Sequence, residues 1–218
     1  MASTVTSTGL QATRQASWAA PVATAGAAYF GLAIAALHFL RPDLDPVSRM
    51  TSEYANGPYS FVMTSAFFAM SVASAALIVA LYRGAPRHAL SLTGLAFLGL
   101  WAVGVLIAMI FPIDPGGVPV TLAGTTHQAA GPPTFACVAM GVAFISWRLG
   151  QDEQWRGLQR TLLMLAAVIA VGFVATAYTF FTGGEVGGLM QRIVLAAVVT
   201  WIVLVASRLR PAAAKFEA

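Results

Sequence analysis

Six apolar segments, each long enough to cross a lipid bilayer, dominate this sequence. A bilayer core about 30 Å thick requires about 20 predominantly apolar residues for one helical crossing. Lipid offers no hydrogen-bonding partner to the backbone, so segments that face it have to be α-helices. The predicted spans are 21–40, 59–82, 89–111, 131–147, 162–181 and 189–206. The sequence therefore predicts an all-α fold, a polytopic bundle of six transmembrane helices.

The composition excludes several other classes of protein. Apolar residues make up 58% of the chain and charged residues 9%, whereas soluble globular chains average about 25% charged residues. This shortage of charge excludes a water-soluble domain, a disordered chain and a nucleic-acid-binding protein. Cys137 is the single cysteine, which excludes a disulfide framework and cysteine-rich metal sites.

The basic residues are unequally divided between the two ends of the predicted bundle. Cytoplasmic loops of membrane proteins are enriched in Lys and Arg. If the N-terminus is cytoplasmic, the basic residues inside are Arg14, Arg83, Arg87, Arg148, Arg156, Arg160, Arg208, Arg210 and Lys215, and those outside are Arg41, Arg49 and Arg192. We therefore predict a multi-pass protein of the bacterial plasma (inner) membrane with both termini in the cytoplasm.

The remaining residues define the domain organisation. We expect residues 1–20 to be a flexible cytoplasmic tail, residues 21–207 to be the transmembrane domain, and residues 208–218 to be a second cytoplasmic tail. The first span carries small residues at every fourth position, a pattern that predicts close contact with neighbouring helices. These residues are Ala23, Ala27, Gly31 and Ala35.

The first outer loop, residues 41–58, contains the signals of a short helix. Asp45 is a suitable N-cap, and Pro46 is favoured at the first helical position. Gly57 is typical of the left-handed residue that ends a helix. These signals predict a helix near 46–55 on the outer face of the membrane.

Two faces of this predicted helix carry different residues. Arg49 and Glu53 are four residues apart and are expected to form an ion pair. Val47, Met50 and Tyr54 fall on a neighbouring apolar face that suits the headgroup boundary. The helix is either a lid that closes the bundle or an element that contacts lipid or substrate.

A second group of polar residues follows the third span. Asp114 lies in the loop, and Thr125 or Thr126 is a candidate N-cap for a short turn that precedes the fourth span. His127 would lie just inside that turn, either as a binding residue or hydrogen-bonded to a loop carbonyl. The proline pair 132–133 is expected to kink or restart the helix.

Two chemical alternatives involve the same residues. His38 and His127 lie at similar depth, and two imidazoles from two helices could hold haem or a divalent metal. Ser52, His127 and an outer aspartate are the residue types of a serine hydrolase, but the G-x-S-x-G motif is absent. We therefore predict no cofactor. If a metal or haem were bound, His38 and His127 would be its candidate ligands.

Arg192 lies three residues inside the last span, on the outer side. Charges inside a membrane are costly and usually have a partner within the protein. We expect Arg192 to pair with an outer acid, foremost Asp114 or Glu53, with Glu185 as a further candidate. The alternative is that its guanidinium reaches lipid phosphates without a protein partner.

Four sequence motifs carry a resemblance to a known family. They are the run 41–63 (Arg-Pro-Asp-x-Asp-Pro…Ser-Glu-Tyr-Ala-x-Gly-Pro-Tyr), Phe-Pro-x-Asp at 111–114, Gly-x-x-His at 124–127 and Gly-Leu-x-Gln-Arg at 188–192. Over residues 22–209 the chain resembles the uncharacterised bacterial six-helix membrane proteins called domain of unknown function 998. More distantly it is similar to Frag1/DRAM/Sfk1-type proteins, which are tied to membrane homeostasis. The resemblance implies a fold and an orientation, but no reaction.

These observations lead to one functional hypothesis and two alternatives. The candidate site is an outer-face polar cluster of Arg49, Ser52, Glu53, Tyr54, Asp114, His127 and Arg192. The leading hypothesis is a non-enzymatic protein that binds an outer-leaflet lipid or amphiphile, or that serves as an accessory subunit of a larger membrane complex. The alternatives are an enzyme acting on a lipid or envelope substrate, and a transporter. The expected partners are membrane lipids and, for an accessory subunit, a larger membrane-protein complex. Nucleic acid is not an expected partner.

Overall fold

The computed structural model describes residues 18–209, and six helices of 19 to 30 residues make up most of them. The helices are α1 (Ala19–Leu40), α2 (Ser60–Gly84), α3 (Leu92–Ile110), α4 (Leu122–Leu149), α5 (Glu153–Thr182) and α6 (Gly187–Arg208). Two short 3-10 helices, Thr51–Ala55 and Arg87–Ala89, lie between them, and residues 18–209 contain no strand. All six long helices are apolar and long enough to cross a membrane. The predicted all-α, six-span fold is confirmed.

The six helices form a closed ring. Each helix packs against the next one in the chain, and α1 also packs against α6. Because successive helices alternate in direction, residues 41–59, 111–121 and 183–186 lie at one end, which we call the first-loop end. Residues 85–91 and 150–152 lie at the opposite, terminal end. Which end faces the cytoplasm stays a prediction from the distribution of basic residues.

Two buried tryptophans hydrogen-bond to serines across helix interfaces. Trp101 of α3 donates its indole N–H to the hydroxyl of Ser74 on α2 at 3.1 Å. Trp201 of α6 donates in the same way to Ser146 of α4 at 2.9 Å. A buried indole N–H needs a partner because lipid supplies none. The first bond therefore fixes the register of the neighbouring helices α2 and α3, and the second joins α4 to α6 across the ring.

Small residues allow α1 and α2 to approach closely, but only along part of α1. Ala23 and Ala27 are fully buried, as predicted. A Cβ at Gly26 would lie 2.7 Å from the backbone oxygen of Ala69, which shows how near the two helices come. Ala35 is exposed, so the prediction that the stripe packs along its whole length is wrong at this end of the helix.

The fourth span begins at Leu122 and not at residue 131 as predicted. Thr121 caps it, since its hydroxyl accepts a hydrogen bond from the Gly124 N–H at 3.1 Å. The predicted proline restart is wrong as well, because residues 132–133 lie inside one continuous helix.

The predicted caps, Thr125 and Thr126, lie within the first turns of α4. Their hydroxyls donate to the carbonyl oxygens of Thr121 and Leu122, at 2.9 and 2.8 Å. Threonine hydroxyls bond in this way inside helices as well as at caps, which is why the sequence pattern placed the start too late.

The tail prediction needs one correction. Ala19 and Ala20 belong to α1 and are buried in the bundle, so they are not part of a flexible tail. Trp18, the next residue of the predicted tail, is an exposed turn residue. Residues 1–17, and the predicted second tail from residue 210 onward, lie outside the described residues. Arg208 is still helical.

The close approach of α1 and α2 predicts that an alanine at Gly26 is destabilising, whereas an alanine at an open helix position such as Gly157 is stabilising. Gly26→Ala should lower the free energy of unfolding by about 1–3 kcal/mol, because the new methyl group overlaps backbone. Gly157→Ala, on an exposed part of α5 where a Cβ meets no atom within 4 Å, should raise it by about 0.5–1 kcal/mol through helix propensity. Thermal unfolding in a mild detergent measures both. A Gly26→Ala protein as stable as the parent would contradict the α1–α2 packing.

Candidate functional site

The first loop is folded differently from the predicted ten-residue helix. Asp45 starts a single turn, in which its carboxylate accepts hydrogen bonds from the Ser48 N–H at 3.0 Å and the Ser48 hydroxyl at 2.7 Å. Met50 is then extended, with φ −68° and ψ 149°. Only residues Thr51–Ala55 form a helix, and it is of the 3-10 type. The prediction of a helix near 46–55 is wrong in length and type.

Bonds to α6 explain why the loop does not form one helix. In a continuous α-helix the Thr51 N–H would bond to the Val47 carbonyl. Instead, the Val47 carbonyl accepts the Leu189 N–H of α6 at 2.9 Å. The Thr51 N–H and hydroxyl both donate to the side-chain oxygen of Gln191, at 2.7 and 2.9 Å. The loop therefore exchanges a local helical bond for three bonds that attach it to α6.

Arg41 holds the two ends of the loop together. Its guanidinium donates twice to Asp43, at 2.9 and 2.7 Å, and also donates to the Asn56 carbonyl. The hydrogen bonds from Arg41 lower the pKa of the Asp43 carboxyl below its ordinary value. Gly57 next to it is left-handed, with φ 70°, as predicted for the end of the loop element. The side chain of Asn56 donates to the Ile113 carbonyl at 2.8 Å, which joins this loop to the second one.

The two acids expected to hold Arg192 have other partners. Glu53 forms the predicted ion pair with Arg49 at 2.5 Å, and its carboxylate also accepts the Met50 N–H at 2.9 Å. Asp114 accepts hydrogen bonds from the N–H and hydroxyl of Thr121, at 2.8 and 2.7 Å. These bonds, the backbone one foremost, lower the pKa of Asp114 below its ordinary value.

Arg192 is bound by uncharged groups. It donates to the His38 Nε2 at 2.8 Å, the Tyr54 hydroxyl at 3.1 Å, and the carbonyls of Arg49 and Gly188 at 2.6 and 3.0 Å. Its guanidinium also lies 5.5 Å from the centre of the fully buried Tyr54 ring. Within residues 18–209, no carboxylate forms a salt bridge with it. The prediction of an acidic partner is wrong, because a loop carbonyl, a carbonyl of α6 and two uncharged side chains take that place.

His127 lies in α4 with one ring nitrogen engaged. Its Nδ1 is 2.8 Å from the carbonyl oxygen of Phe111, to which it donates. The interpretation of a histidine hydrogen-bonded to a loop carbonyl is confirmed. Asp114 bonds to Thr121, so the Ser52–His127–aspartate arrangement of a serine hydrolase is not formed.

The structure does not join the two candidate metal ligands in one site. His38 borders a groove beside α6, and His127 borders a different cavity. In the described part of the chain, no three His, Cys, Asp or Glu side chains are grouped so that they could hold a metal ion.

Two adjoining cavities of about 60 and 100 Å³ lie beneath the 3-10 helix Thr51–Ala55. Both are bordered by Ser52, His127, Gly131, Phe135 and Gln191. The first extends towards α2 and α3, and the second opens between α4 and α5. Together they are about as large as the engineered protein cavity of about 150 Å³ that holds benzene.

Three polar side chains on this shared wall have atoms without a protein partner. Ser52 is 7% exposed and Gln191 8%. Neither the Ser52 hydroxyl nor the Gln191 amide nitrogen forms a hydrogen bond within residues 18–209, and the Nε2 of His127 forms none either. Every fully buried side-chain N or O atom of the described residues is bonded. The free atoms of Ser52 and Gln191 therefore border open space, and the cavities provide a mainly apolar chamber whose shared wall carries three polar contacts.

The predicted polar cluster is thus three separate arrangements. Arg49, Tyr54 and Arg192 lie beside His38, whereas Glu53 and Asp114 each stabilise a loop or helix start. Ser52 and His127 border the cavities, and Gln191 joins them. Sequence reasoning missed Gln191, although an amide in an apolar span is the same kind of signal that singled out Arg192.

Comparisons with known proteins place the chain in a family without assigning an activity. A family model described as "Protein of unknown function (DUF998)" matches residues 22–208. No curated protein and no solved structure matches the chain. The similarity to Frag1/DRAM/Sfk1-type proteins and the bacterial origin stay predictions.

The attachment of the loop to α6 predicts graded effects of two substitutions. Gln191→Leu leaves the buried Thr51 N–H without an acceptor and should lower the free energy of unfolding by about 1–3 kcal/mol. Thr51→Val removes only the hydroxyl bond and should cost about 0.5–1.5 kcal/mol. Thermal unfolding in mild detergent, with amide exchange at Thr51, measures the difference. Equal stability of Gln191→Leu and the parent would show that the loop does not depend on this bond.

Proposed function

We propose that this chain, which belongs to the DUF998 family, is a multi-pass membrane protein that binds an uncharged lipid alcohol in the two cavities beneath the 3-10 helix. The observation that carries the proposal is the shared wall of Ser52, His127 and Gln191, whose free polar atoms border an apolar chamber. Apolar pockets with a few converging polar groups are the usual form of small-molecule sites.

The free atoms suit a hydroxyl group. Because the Nδ1 of His127 donates to a carbonyl, its Nε2 is the acceptor in the neutral ring. The side-chain oxygen of Gln191 is taken by Thr51, so its amide nitrogen is the free donor. A ligand hydroxyl can donate to His127 and accept from Gln191 at the same time, and the Ser52 hydroxyl can serve in either role.

The lining favours an uncharged ligand with a chain. No Asp, Glu, Lys or Arg borders either cavity, so a charged head would have no counter-ion in a site of low dielectric constant. The cavities are large enough for a head group and a short part of a chain. Phe180 and Phe181 of α5 border the second cavity and are exposed, so the rest of the chain would lie between α4 and α5 in the bilayer.

The orientation forms part of this proposal. The excess of basic residues towards the termini supports a cytoplasmic terminal end, which puts the first-loop end and its cavities in the outer leaflet of a bacterial inner membrane. The proposed role is non-enzymatic, either as a lipid-binding protein or as an accessory subunit that presents the lipid to a larger complex. An enzyme would need Ser52 to act with His127 alone, and a transporter would need polar groups near the midplane.

Photolabelling tests the binding site. A long-chain alcohol carrying a diazirine should label α4 and α5 of the detergent-solubilised protein, and the matched diazirine alkane should label them less. Gly131→Leu should abolish most of the alcohol labelling, because a Cβ there meets no atom within 4 Å and the side chain can fill the cavity. Ser52→Ala should weaken binding about two- to tenfold, the effect of one hydrogen bond.

Gly157→Leu is the matched control for Gly131→Leu, because a Cβ at Gly157 also meets open space, far along the chain from the cavities. Its labelling should equal that of the parent. Equal labelling by alcohol and alkane, or unchanged labelling of Gly131→Leu, would contradict the proposal. Steady release of a cleaved product from an ester of the alcohol would instead support the enzymatic alternative.

Reporter fusions test the orientation. A reporter active only in the periplasm should be active when fused after Gly116 and inactive when fused after Gly150, because the two residues lie in loops at opposite ends of the bundle. The reverse pattern would place the first-loop end in the cytoplasm.

A further inference from the structure

A groove of about 370 Å³ lies between α1 and α6, on a different side of α6 from the free amide of Gln191. Its walls below the first-loop end are small or apolar, with Gly31, Ala35 and Val199 among them. His38 and Arg192 border the same groove. The exposure of Ala35 shows that the groove opens on the outside of the bundle, where lipid lies.

No carboxylate of residues 18–209 forms a salt bridge with Arg192, although Asp45, which is bonded to Ser48, lies near enough to interact with its charge. All of its hydrogen-bond acceptors are uncharged: His38, Tyr54 and two backbone carbonyls. The guanidinium carries five N–H donors, and these four bonds leave one of them free. The residue also lies near the start of α6, where the helix dipole is positive and favours an anion over a cation.

His38 supplies a second free donor. Its Nε2 accepts a hydrogen bond from Arg192, so the proton of the neutral ring is on Nδ1. That N–H has no acceptor within residues 18–209. A charged guanidinium and an imidazole N–H thus share one end of an apolar groove that no carboxylate borders.

We propose that this groove binds a phospholipid, with a phosphate oxygen at Arg192 and His38 and one acyl chain along α1 and α6. Arginine binds phosphate strongly through charge-assisted hydrogen bonds. The apolar walls beneath the two donors distinguish a phospholipid from free phosphate, since free phosphate would gain nothing from them. This site differs from the lipid-alcohol site, which has no charged residue on its walls, although Phe30 and Leu195 border both the groove and the first cavity.

Native mass spectrometry of the full chain in mild detergent tests the proposal with three probes. They are phosphatidylglycerol, a diacylglycerol with the same acyl chains, and inorganic phosphate. Phosphatidylglycerol should bind at least about tenfold more tightly than the diacylglycerol, because hydrogen bonds to charged groups contribute at least that factor. Inorganic phosphate should not displace it at equal concentration. Equal binding of the two lipids, or displacement by phosphate alone, would overturn the proposal.

Two substitutions locate the site. Arg192→Gln should reduce phosphatidylglycerol binding to the level of the diacylglycerol, and Arg192→Lys should retain part of it. Since Arg192→Gln also removes the bonds of Arg192 to the Arg49 carbonyl and Tyr54 of the loop, Ala35→Phe provides a second test that leaves every polar contact in place and fills the groove. Its neighbour Ala36 is also exposed but does not border the groove, so Ala36→Phe is the matched control.

Ala35→Phe should weaken phosphatidylglycerol binding about tenfold or more, while Ala36→Phe binds like the parent. Equal binding by the two variants would overturn the proposal. Photolabelling by the long-chain alcohol should be unchanged in Ala35→Phe, so failure of one site is distinguishable from failure of the other.

Discussion

The extended backbone at Met50 is the feature on which the first-loop end depends. It turns successive backbone groups of the loop towards α6, where the Val47 carbonyl accepts the Leu189 N–H and the Thr51 N–H reaches Gln191. The first N–H groups of any helix lack partners within the helix. The Val47 carbonyl of the loop accepts one of these N–H groups of α6, and the Gln191 side chain of α6 accepts the Thr51 N–H of the loop. Neither element completes its backbone hydrogen bonds alone.

This arrangement also explains why an arginine is tolerated at the start of a membrane helix. A cation there opposes the helix dipole and pays a desolvation cost. The carbonyls of Arg49 and Gly188 supply partial negative charge in place of a carboxylate. Gly188 permits this approach, because a Cβ there would overlap the Arg49 carbonyl oxygen. The partial charges orient the guanidinium without cancelling its charge, which stays available to an external anion.

The sequence predicted the helices well because a membrane span is specified by length and apolarity alone. It predicted the Arg49–Glu53 pair for a similar reason, since the two residues are close in the chain. It could not predict the carbonyl partners of Arg192, because a backbone carbonyl is present at every residue and leaves no mark in a sequence. His38 and Tyr54 are far from Arg192 in the chain, and only the fold brings them together. The predicted start of α4 was wrong for a related reason. Three threonines, Thr121, Thr125 and Thr126, are equivalent cap candidates in the sequence, and only the structure shows that Asp114 binds Thr121.

The position of two neighbouring residues on α6 connects the loop to both proposed sites. Successive helical residues point about 100° apart, so Gln191 borders the cavities while Arg192 borders the groove. The loop bonds to both, through Thr51 and through the Arg49 carbonyl. A ligand that draws Arg192 outward would weaken its bond to the loop, and the 3-10 helix that carries Ser52 follows directly in the chain. Phe30 and Leu195 border both the groove and the first cavity. Any energetic coupling between phospholipid and lipid alcohol would therefore act through these two side chains as well as through the loop bonds, and by linkage it would act equally in both directions.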